Sequence, residues 1–196
     1  MYVAEKKFLF VHPQKCAGTS VRHVLRKEYA NGQIREEFEP EGSGHWRISQ
    51  WIDYIGNDAL EYFKFGVVRN PWDRAVSYYH HLRKHQGYKK PFWQFVLNDV
   101  YLQSISFAIY PKFHHKGEYM MDFVIRQEHF DKDLASIAEK LGIEKYDIVN
   151  VNHNTDRPED KSYRDYYERD GDLREELVDQ IASLSQFEIN KYKYEF

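Results

Sequence analysis

The feature that most constrains this chain is a strand, a short loop and a helix start within residues 8–25, FLFVHPQKCAGTSVRHVL. The apolar run ends at His12, and a helix with one apolar face is predicted from Thr19 onward. A strand that is apolar at every residue is typical of a parallel sheet covered on both faces. The loop between them carries Lys15 and Gly18. A lysine-bearing loop at a helix N-terminus is an arrangement that binds phosphate-like anions.

Strands and helices alternate along the rest of the chain. Continuous apolar runs predict buried strands, and apolar residues at helical spacing predict the helices between them. Pro71 favours a helix start and Gly142 a helix end. The predicted strands cover 7–11, 63–68, 121–125 and 146–149, and the predicted helices cover 19–29, 48–54, 71–84, 92–100, 130–141, 163–169 and 171–184. This order predicts an α/β fold, a single domain over residues 1–196 with a mostly parallel central sheet flanked by helices.

Composition and charge narrow the class of protein. The chain has 196 residues, of which 42% are apolar and 30% charged, as expected of a globular domain. The formal net charge is −3, from 28 basic and 31 acidic residues, so no generic affinity for nucleic acid is expected. The single cysteine, Cys16, favours a reducing compartment. Without a basic-then-apolar leader or an apolar run of about 18 residues, we expect a soluble, cytoplasmic protein with no stable membrane insertion.

Two of the predicted strands end in residues suited to binding an anion. After the first strand, the Lys15 ammonium, the hydroxyls of Thr19 and Ser20 and the backbone N–H groups between them can converge on one group. After the second strand comes RNPWDRAVS, in which Arg69 is followed eight residues later by Ser77. Ligands of parallel α/β sheets bind beyond the carboxyl ends of the strands. Each motif alone is more often a solvated turn or an ordinary helix start, so the prediction depends on the two together.

The first loop departs from the pattern that binds nucleoside triphosphates, GxxxxGK[ST]. Its lysine precedes the glycine, and the first glycine of the pattern is missing. No strand-terminal aspartate for magnesium is evident after residues 63–68. One cysteine and scattered histidines do not give the ligand spacing of a zinc site. These features argue against a kinase or an ATPase and predict an anion that is handled without a metal.

The same residues resemble a known family. HPQKCAGTS is similar to the 5′-phosphosulfate loop of sulfotransferases that use 3′-phosphoadenosine 5′-phosphosulfate (PAPS), particularly carbohydrate sulfotransferases with a Pro-x-Lys-x-x-Gly-Thr-Ser loop. FGVVRNPWDRAVSYYHHLR resembles their 3′-phosphate segment. GHWRISQW, MDFVIRQEHFDKDLASIAEKLGI and SYRDYYERDG extend the likeness over most of the chain. The resemblance implies the P-loop-NTPase-like fold of the sulfotransferases.

The resemblance also implies a role for each motif residue. Lys15 would contact the bridging oxygen of PAPS and offset the charge that develops on the leaving phosphate. Thr19 and Ser20 would bind the 5′-phosphate, and Arg69 with Ser77 would bind the 3′-phosphate. The implied nucleotide-binding residues are therefore Lys15, Cys16, Ala17, Gly18, Thr19, Ser20, Arg69 and Ser77.

Sulfuryl transfer also requires a base that removes the proton of the acceptor hydroxyl. Histidine is the natural candidate near neutral pH, and the chain has ten. His45, in SGHWR, resembles the Gly-His base of the glycosaminoglycan 2-O-sulfotransferases. His12, beside the phosphate loop, and His80, on the helix that carries Ser77, are the competing candidates.

The chain departs from the family pattern at two positions. Cys16 stands where these loops usually carry threonine or a small residue, which leaves the backbone donors intact. Gln127 stands where an aromatic residue is common, so contacts with the adenine are not implied there. The polar loop 150–162 either folds over the nucleotide or is solvated. Its candidate contacts are Asn152, Asn154 and Arg157.

The sequence therefore predicts a PAPS-dependent O-sulfotransferase that acts on a hydroxyl, with a carbohydrate as the favoured acceptor. Two alternatives stay open. One is a small-molecule kinase with a degenerate phosphate loop, which ATP with magnesium would stabilise. The other is a non-catalytic module that binds a nucleotide or a polyanion without turnover.

Overall fold

The computed structural model describes residues 1–98, 100–103, 107–148, 161–168 and 173–196. The strands are β1 (Tyr2–Val3), β2 (Phe8–Val11), β3 (Phe63–Val68), β4 (His114–His115), β5 (Glu118–Tyr119) and β6 (Phe123–Arg126). The α-helices are α1 (Gly18–Tyr29), α2 (Ile48–Ile55), α3 (Pro71–Gln86), α4 (Phe92–Asn98), α5 (Val100–Gln103), α6 (Tyr110–Phe113), α7 (Phe130–Leu141), α8 (Arg164–Glu168), α9 (Arg174–Leu184) and α10 (Gln186–Tyr192). Short 3-10 helices cover Ala4–Lys6, Ser43–His45, Asn57–Glu61 and Gln127–His129.

The chain forms two compact units. The first unit comprises Met1–Val68 and Tyr110–Asn152, and the second comprises Arg69–Ile109 and His153–Phe196. The prediction of one domain over residues 1–196 stays a prediction, and each unit is described by itself.

A mostly parallel sheet organises the first unit, in the order β1-β2-β3-β6. β2 and β3 are parallel, with Phe8 opposite Phe63, and β3 and β6 are parallel, with Val68 opposite Arg126. β2 is buried along its whole length. The rings of Phe10 on β2 and Phe65 on β3 are neighbours in the core of this unit, with their centres 5.0 Å apart. The α/β architecture with a mostly parallel sheet flanked by helices is confirmed, because continuous apolar runs did form the inner strands.

One predicted strand is wrong in its described part. Residues 146–148 adopt no strand, and residue 149 lies outside the described residues. Asp147 and Ile148 are exposed, and Asp147 pairs with Lys27 of α1 at 2.5 Å, so this segment lies on the surface. The fourth strand of the sheet is instead β1, which runs antiparallel to β2. β1 has only two residues, which are too few for a pattern of apolar residues to predict a strand there.

The helices follow the sequence pattern closely. The predicted helix 130–141 is α7, which ends at Gly142 in the left-handed conformation that glycine adopts at little cost. The predicted helix 71–84 is α3, which begins at Pro71 as expected and continues two residues further. The predicted helix 92–100 corresponds to α4 and the first residue of α5, with residue 99 outside the described residues, and α6 and α10 were not predicted.

The second unit anchors the beginning of α3. Trp72 Nε1 donates a hydrogen bond to the Val178 carbonyl at 3.0 Å, and the Tyr167 hydroxyl donates to the Trp72 carbonyl at 3.0 Å. The Asn70 side chain donates to the Glu195 carbonyl at 2.9 Å. These bonds lie beside a core of buried aromatic residues, so the start of α3 has little freedom to move.

Candidate functional site

The loop between β2 and α1 holds two residues in the left-handed conformation. Lys15 has φ 62° and Ala17, which precedes α1, has φ 63°. This conformation costs a non-glycine residue roughly 1–2 kcal/mol, so the surrounding structure must impose it. The N-cap residue of α1, Ala17, offers no side-chain capping hydrogen bond. The loop therefore turns its backbone sharply just before a helix N-terminus, as in loops that bind anions.

The side chains of this loop divide between the inside and the outside. Cys16 is fully buried, and its Sγ lies 3.4 Å from the Gln14 carbonyl. Ser20 is buried, whereas Lys15 and Thr19 are half-buried. Because the Cys16 side chain points into the core, this residue can offer a ligand only its backbone.

Gly18 is required by a close contact with His12. The φ of Gly18 is not positive, so its conformation alone would admit alanine. A Cβ atom added there would lie 2.5 Å from Nε2 and 2.6 Å from Cγ of the His12 imidazole. Real Cβ contacts are not that short, so the imidazole of His12 occupies the place of a side chain at the first residue of α1.

His12 also holds His45 in place. The His45 Nδ1 lies 2.9 Å from the His12 carbonyl oxygen, and the two rings meet edge to face at 4.7 Å. Because a carbonyl only accepts, Nδ1 of His45 carries the hydrogen, and the lone pair of the neutral ring is on Nε2. His45 is exposed, whereas His12 is only 6% exposed. The geometry presents His45, rather than His12, as the imidazole that a second substrate can reach.

Two further contacts fix the turn Ser43–His45. The buried Lys112 of α6 donates a hydrogen bond from Nζ to the His45 carbonyl at 2.5 Å. Arg22 of α1 packs against Gly44, where an added Cβ would lie 3.3 Å from Nη1. Arg22 is in turn paired with the buried Glu39 at 2.6 Å. The turn that carries His45 is thus attached to the residue after β2, to α1 and to α6 of the first unit.

The environment of His12 disfavours its charged form. Burial lowers the pKa of His12 well below 6.5, and the neighbouring His45, Arg22 and Lys112 lower it further. Nδ1 of His12 has no hydrogen-bond partner among the described residues. His12 is therefore neutral near pH 7, and its ring packs between Gly18 and the ring of His45.

The second motif begins α3 in the second unit. Asn70 caps the helix through Oδ1, which accepts from the backbone N–H groups of Trp72 and Asp73. Arg69 donates from both Nε and Nη2 to one carboxylate oxygen of Asp73, each at 2.7 Å. Ser77, one turn after Asp73, is buried. Arg69 precedes α3, Ser77 lies about two turns into it, and the acidic Asp73 stands between them in sequence.

Comparison with known proteins identifies the family. The model of the sulfotransferase family matches residues 1–196, the whole chain. The chain belongs to the sulfotransferase family. A protein of Archaeoglobus fulgidus, described as uncharacterized, is 26% identical to this sulfotransferase over 96 residues, which are 48% of this chain and 80% of that protein. No solved structure matches the chain.

The structure brings together the motif residues of each unit of this sulfotransferase. Lys15 to Ser20 form the end of the β2–α1 loop and the first turn of α1, with His45 attached beside them, whereas Arg69 precedes α3 and Ser77 lies within it. His80 is not exposed as a base would be: it is 3% exposed, with Nε2 2.7 Å from the Tyr166 hydroxyl. Asn152, Asn154 and Arg157 lie outside the described residues.

Sequence reasoning missed two residues of the site. Lys112 is 67 positions from His45 and carries no local signal. Asp73 could have been found, because an acid four residues after an arginine is a common ion-pair spacing.

Two observations concern the described residues only. Across that part of the chain, no cluster of three or more His, Cys, Asp and Glu residues could hold a metal ion. No described helix is both long and apolar enough to cross a bilayer.

The contact between Gly18 and His12 leads to a prediction. Gly18→Ala should lower the free energy of unfolding by about 1–3 kcal/mol, because the added methyl group overlaps the imidazole. Thermal unfolding would measure this decrease.

The double variant Gly18→Ala/His12→Ala should be more stable than the sum of the two single changes predicts. Gly44→Ala is the matched control, since its methyl would meet only the flexible Arg22 side chain. A Gly18→Ala protein as stable as the native one would contradict the contact.

Proposed function

We propose that this sulfotransferase transfers the sulfuryl group of PAPS to a hydroxyl, most favourably of a carbohydrate, and releases adenosine 3′,5′-bisphosphate. The observation that carries the proposal is the strained loop of Lys15 and Ala17 at the start of α1, with His45 fixed beside it. An anion-binding loop and an exposed, oriented imidazole are the two elements that the reaction needs.

The residues of the loop supply the donor side of the reaction. The backbone of residues 16–18 and the hydroxyls of Thr19 and Ser20 bind the 5′-phosphate. Lys15 contacts the oxygen that bridges phosphorus and sulfur, and its charge offsets the negative charge that develops there as the sulfur–oxygen bond breaks. Arg69 and Ser77 bind the 3′-phosphate. These assignments are supported by the resemblance of both motifs to the family.

His45 supplies the acceptor side. As the acceptor oxygen bonds to sulfur, its proton passes to Nε2 of His45, whose Nδ1–H stays bonded to the His12 carbonyl. Lys112 holds the backbone of the turn, so the imidazole does not swing away.

No metal ion takes part in these steps. The single, buried Cys16 supports a cytoplasmic location.

The nucleotide provides the first test of the proposal. Adenosine 3′,5′-bisphosphate should stabilise the protein strongly and adenosine 5′-monophosphate much less, because the second motif adds a site for a second phosphate. At about a hundred times the dissociation constant, the bisphosphate should raise the free energy of unfolding by about 2.7 kcal/mol. Thermal unfolding with each nucleotide measures the difference. Equal stabilisation by both would remove the role of Arg69 and Ser77.

The same experiment separates the alternatives. Stabilisation by ATP with magnesium in preference to the bisphosphate would indicate a kinase. Tight binding of the bisphosphate without transfer of labelled sulfate to any member of a panel of sugars, glycosaminoglycans and phenols would indicate a binding module. Transfer to phenols but not to sugars would overturn the carbohydrate acceptor and keep the chemistry.

A further inference from the structure

The ion pair of Arg69 and Asp73 has two short bonds and is largely buried, unlike an ordinary surface ion pair. Nε and Nη2 of Arg69 both lie 2.7 Å from the same oxygen of Asp73. The Arg69 and Asp73 side chains are 16% and 15% exposed, so water screens the pair only partly. Because guanidinium is a rigid planar fork, bonds to one edge set the direction in which the opposite edge faces.

Asp73 is itself attached to a rigid part of the second unit. Its backbone N–H donates to the capping oxygen of Asn70 at 3.3 Å, and Asn70 is bonded to the Glu195 carbonyl. The preceding residue, Trp72, is bonded to both Val178 and Tyr167. The carboxylate therefore projects from a fixed piece of backbone, and it can hold Arg69 in one orientation without itself being mobile.

The negative charge of Asp73 disfavours a phosphate nearby unless another group neutralises that charge. It lies between Arg69 and Ser77 in sequence and one helical turn before Ser77. A carboxylate near a phosphate that contacts those two residues would repel it, whereas a carboxylate neutralised by two bonds from Arg69 would repel it much less. The bonds to Arg69 thus reduce the repulsion between Asp73 and the phosphate, and at the same time they hold the guanidinium in place.

We propose that Asp73 is a positioning residue that orients Arg69 toward the 3′-phosphate and thereby sets the preference for nucleotides with a phosphate at that position. This inference rests on the proposed function. Asp73 touches the arginine and not the nucleotide. Its contribution appears in the affinity for adenosine 3′,5′-bisphosphate (PAP) and is absent from the affinity for adenosine 5′-monophosphate (AMP), which has no 3′-phosphate.

Titration calorimetry with PAP and AMP tests the proposal at one fixed salt concentration. Asp73→Ala should weaken PAP binding about tenfold or more and AMP binding less than twofold, so the ratio of the two affinities falls. Asp73→Asn should give an intermediate ratio, since a neutral amide oxygen still accepts one hydrogen bond. In the Arg69→Ala background, Asp73→Ala should cause no further loss. Asp131→Ala removes an exposed acid from the first turn of α7 and should leave both affinities unchanged.

The outcomes separate this inference from the proposed function. A native protein that binds PAP no more tightly than AMP would overturn the assignment of the 3′-phosphate and the inference with it. A native protein that prefers PAP, together with an Asp73→Ala protein that binds PAP equally or more tightly, would overturn the inference alone. If Asp73→Ala does not fold, Asp73→Asn decides: an unchanged ratio in that folded variant would contradict the role of Asp73.

Discussion

Lys15→Ala should lower kcat by about a hundredfold to a thousandfold or more, while PAP affinity changes far less. The reason is that a fixed positive charge at the leaving oxygen acts mainly in the transition state, where that oxygen becomes more negative. Lys15→Arg should restore little of the activity, because a planar guanidinium does not replace a compact ammonium in a tight loop. Steady-state kinetics with labelled PAPS, together with calorimetry for PAP, measures both effects.

The chain offers a matched control for this change. Lys7 also has a positive φ, 49°, and lies exposed in the first unit. Lys7→Ala therefore places alanine in the same strained backbone region without touching the loop, and its kinetics should equal those of the native protein. If Lys15→Ala kept near-normal turnover, the reacting centre would lie elsewhere.

His45→Ala should lower kcat by about a hundredfold or more and leave PAP affinity unchanged, because the imidazole faces the acceptor. In the native protein, turnover should fall as the pH drops through about 6 to 7, the range in which histidines commonly titrate, since only a neutral imidazole accepts the proton. His45→Ala should lose this acidic limb. Profiles of kcat against pH for both proteins measure it.

The acidic limb also discriminates between the histidines. The pKa of His12 lies well below 6.5 because the ring is buried, so protonation of His12 would not produce a limb near pH 6–7. His129→Ala, at an exposed position in the same unit, should leave the profile unchanged. A limb that persists in His45→Ala and disappears in His80→Ala would assign the base to His80, despite its bond to Tyr166.

Local patterns in the sequence were enough to predict the parts of the fold that depend on local physics. Continuous apolar runs identified β2 and β3, and a proline at position 71 and a glycine at position 142 marked helix boundaries. Each of these features acts on its own few residues, through burial of side chains or through the allowed backbone angles. The two phosphate motifs belong to the same class, since both are continuous segments at strand ends.

Only the tertiary structure decided how the candidate site is held together. Gly18 looks like a glycine needed for a turn, yet its φ is ordinary and the requirement comes from the imidazole of His12. Lys112 reaches His45 because α6 packs in the first unit, although 67 positions separate the two residues. β1 joins the sheet through pairing with β2 and carries too few residues to be recognised alone. The sequence determined which segments are buried and where the chain turns; contacts between distant side chains depend on how several elements pack together, and no local pattern records that.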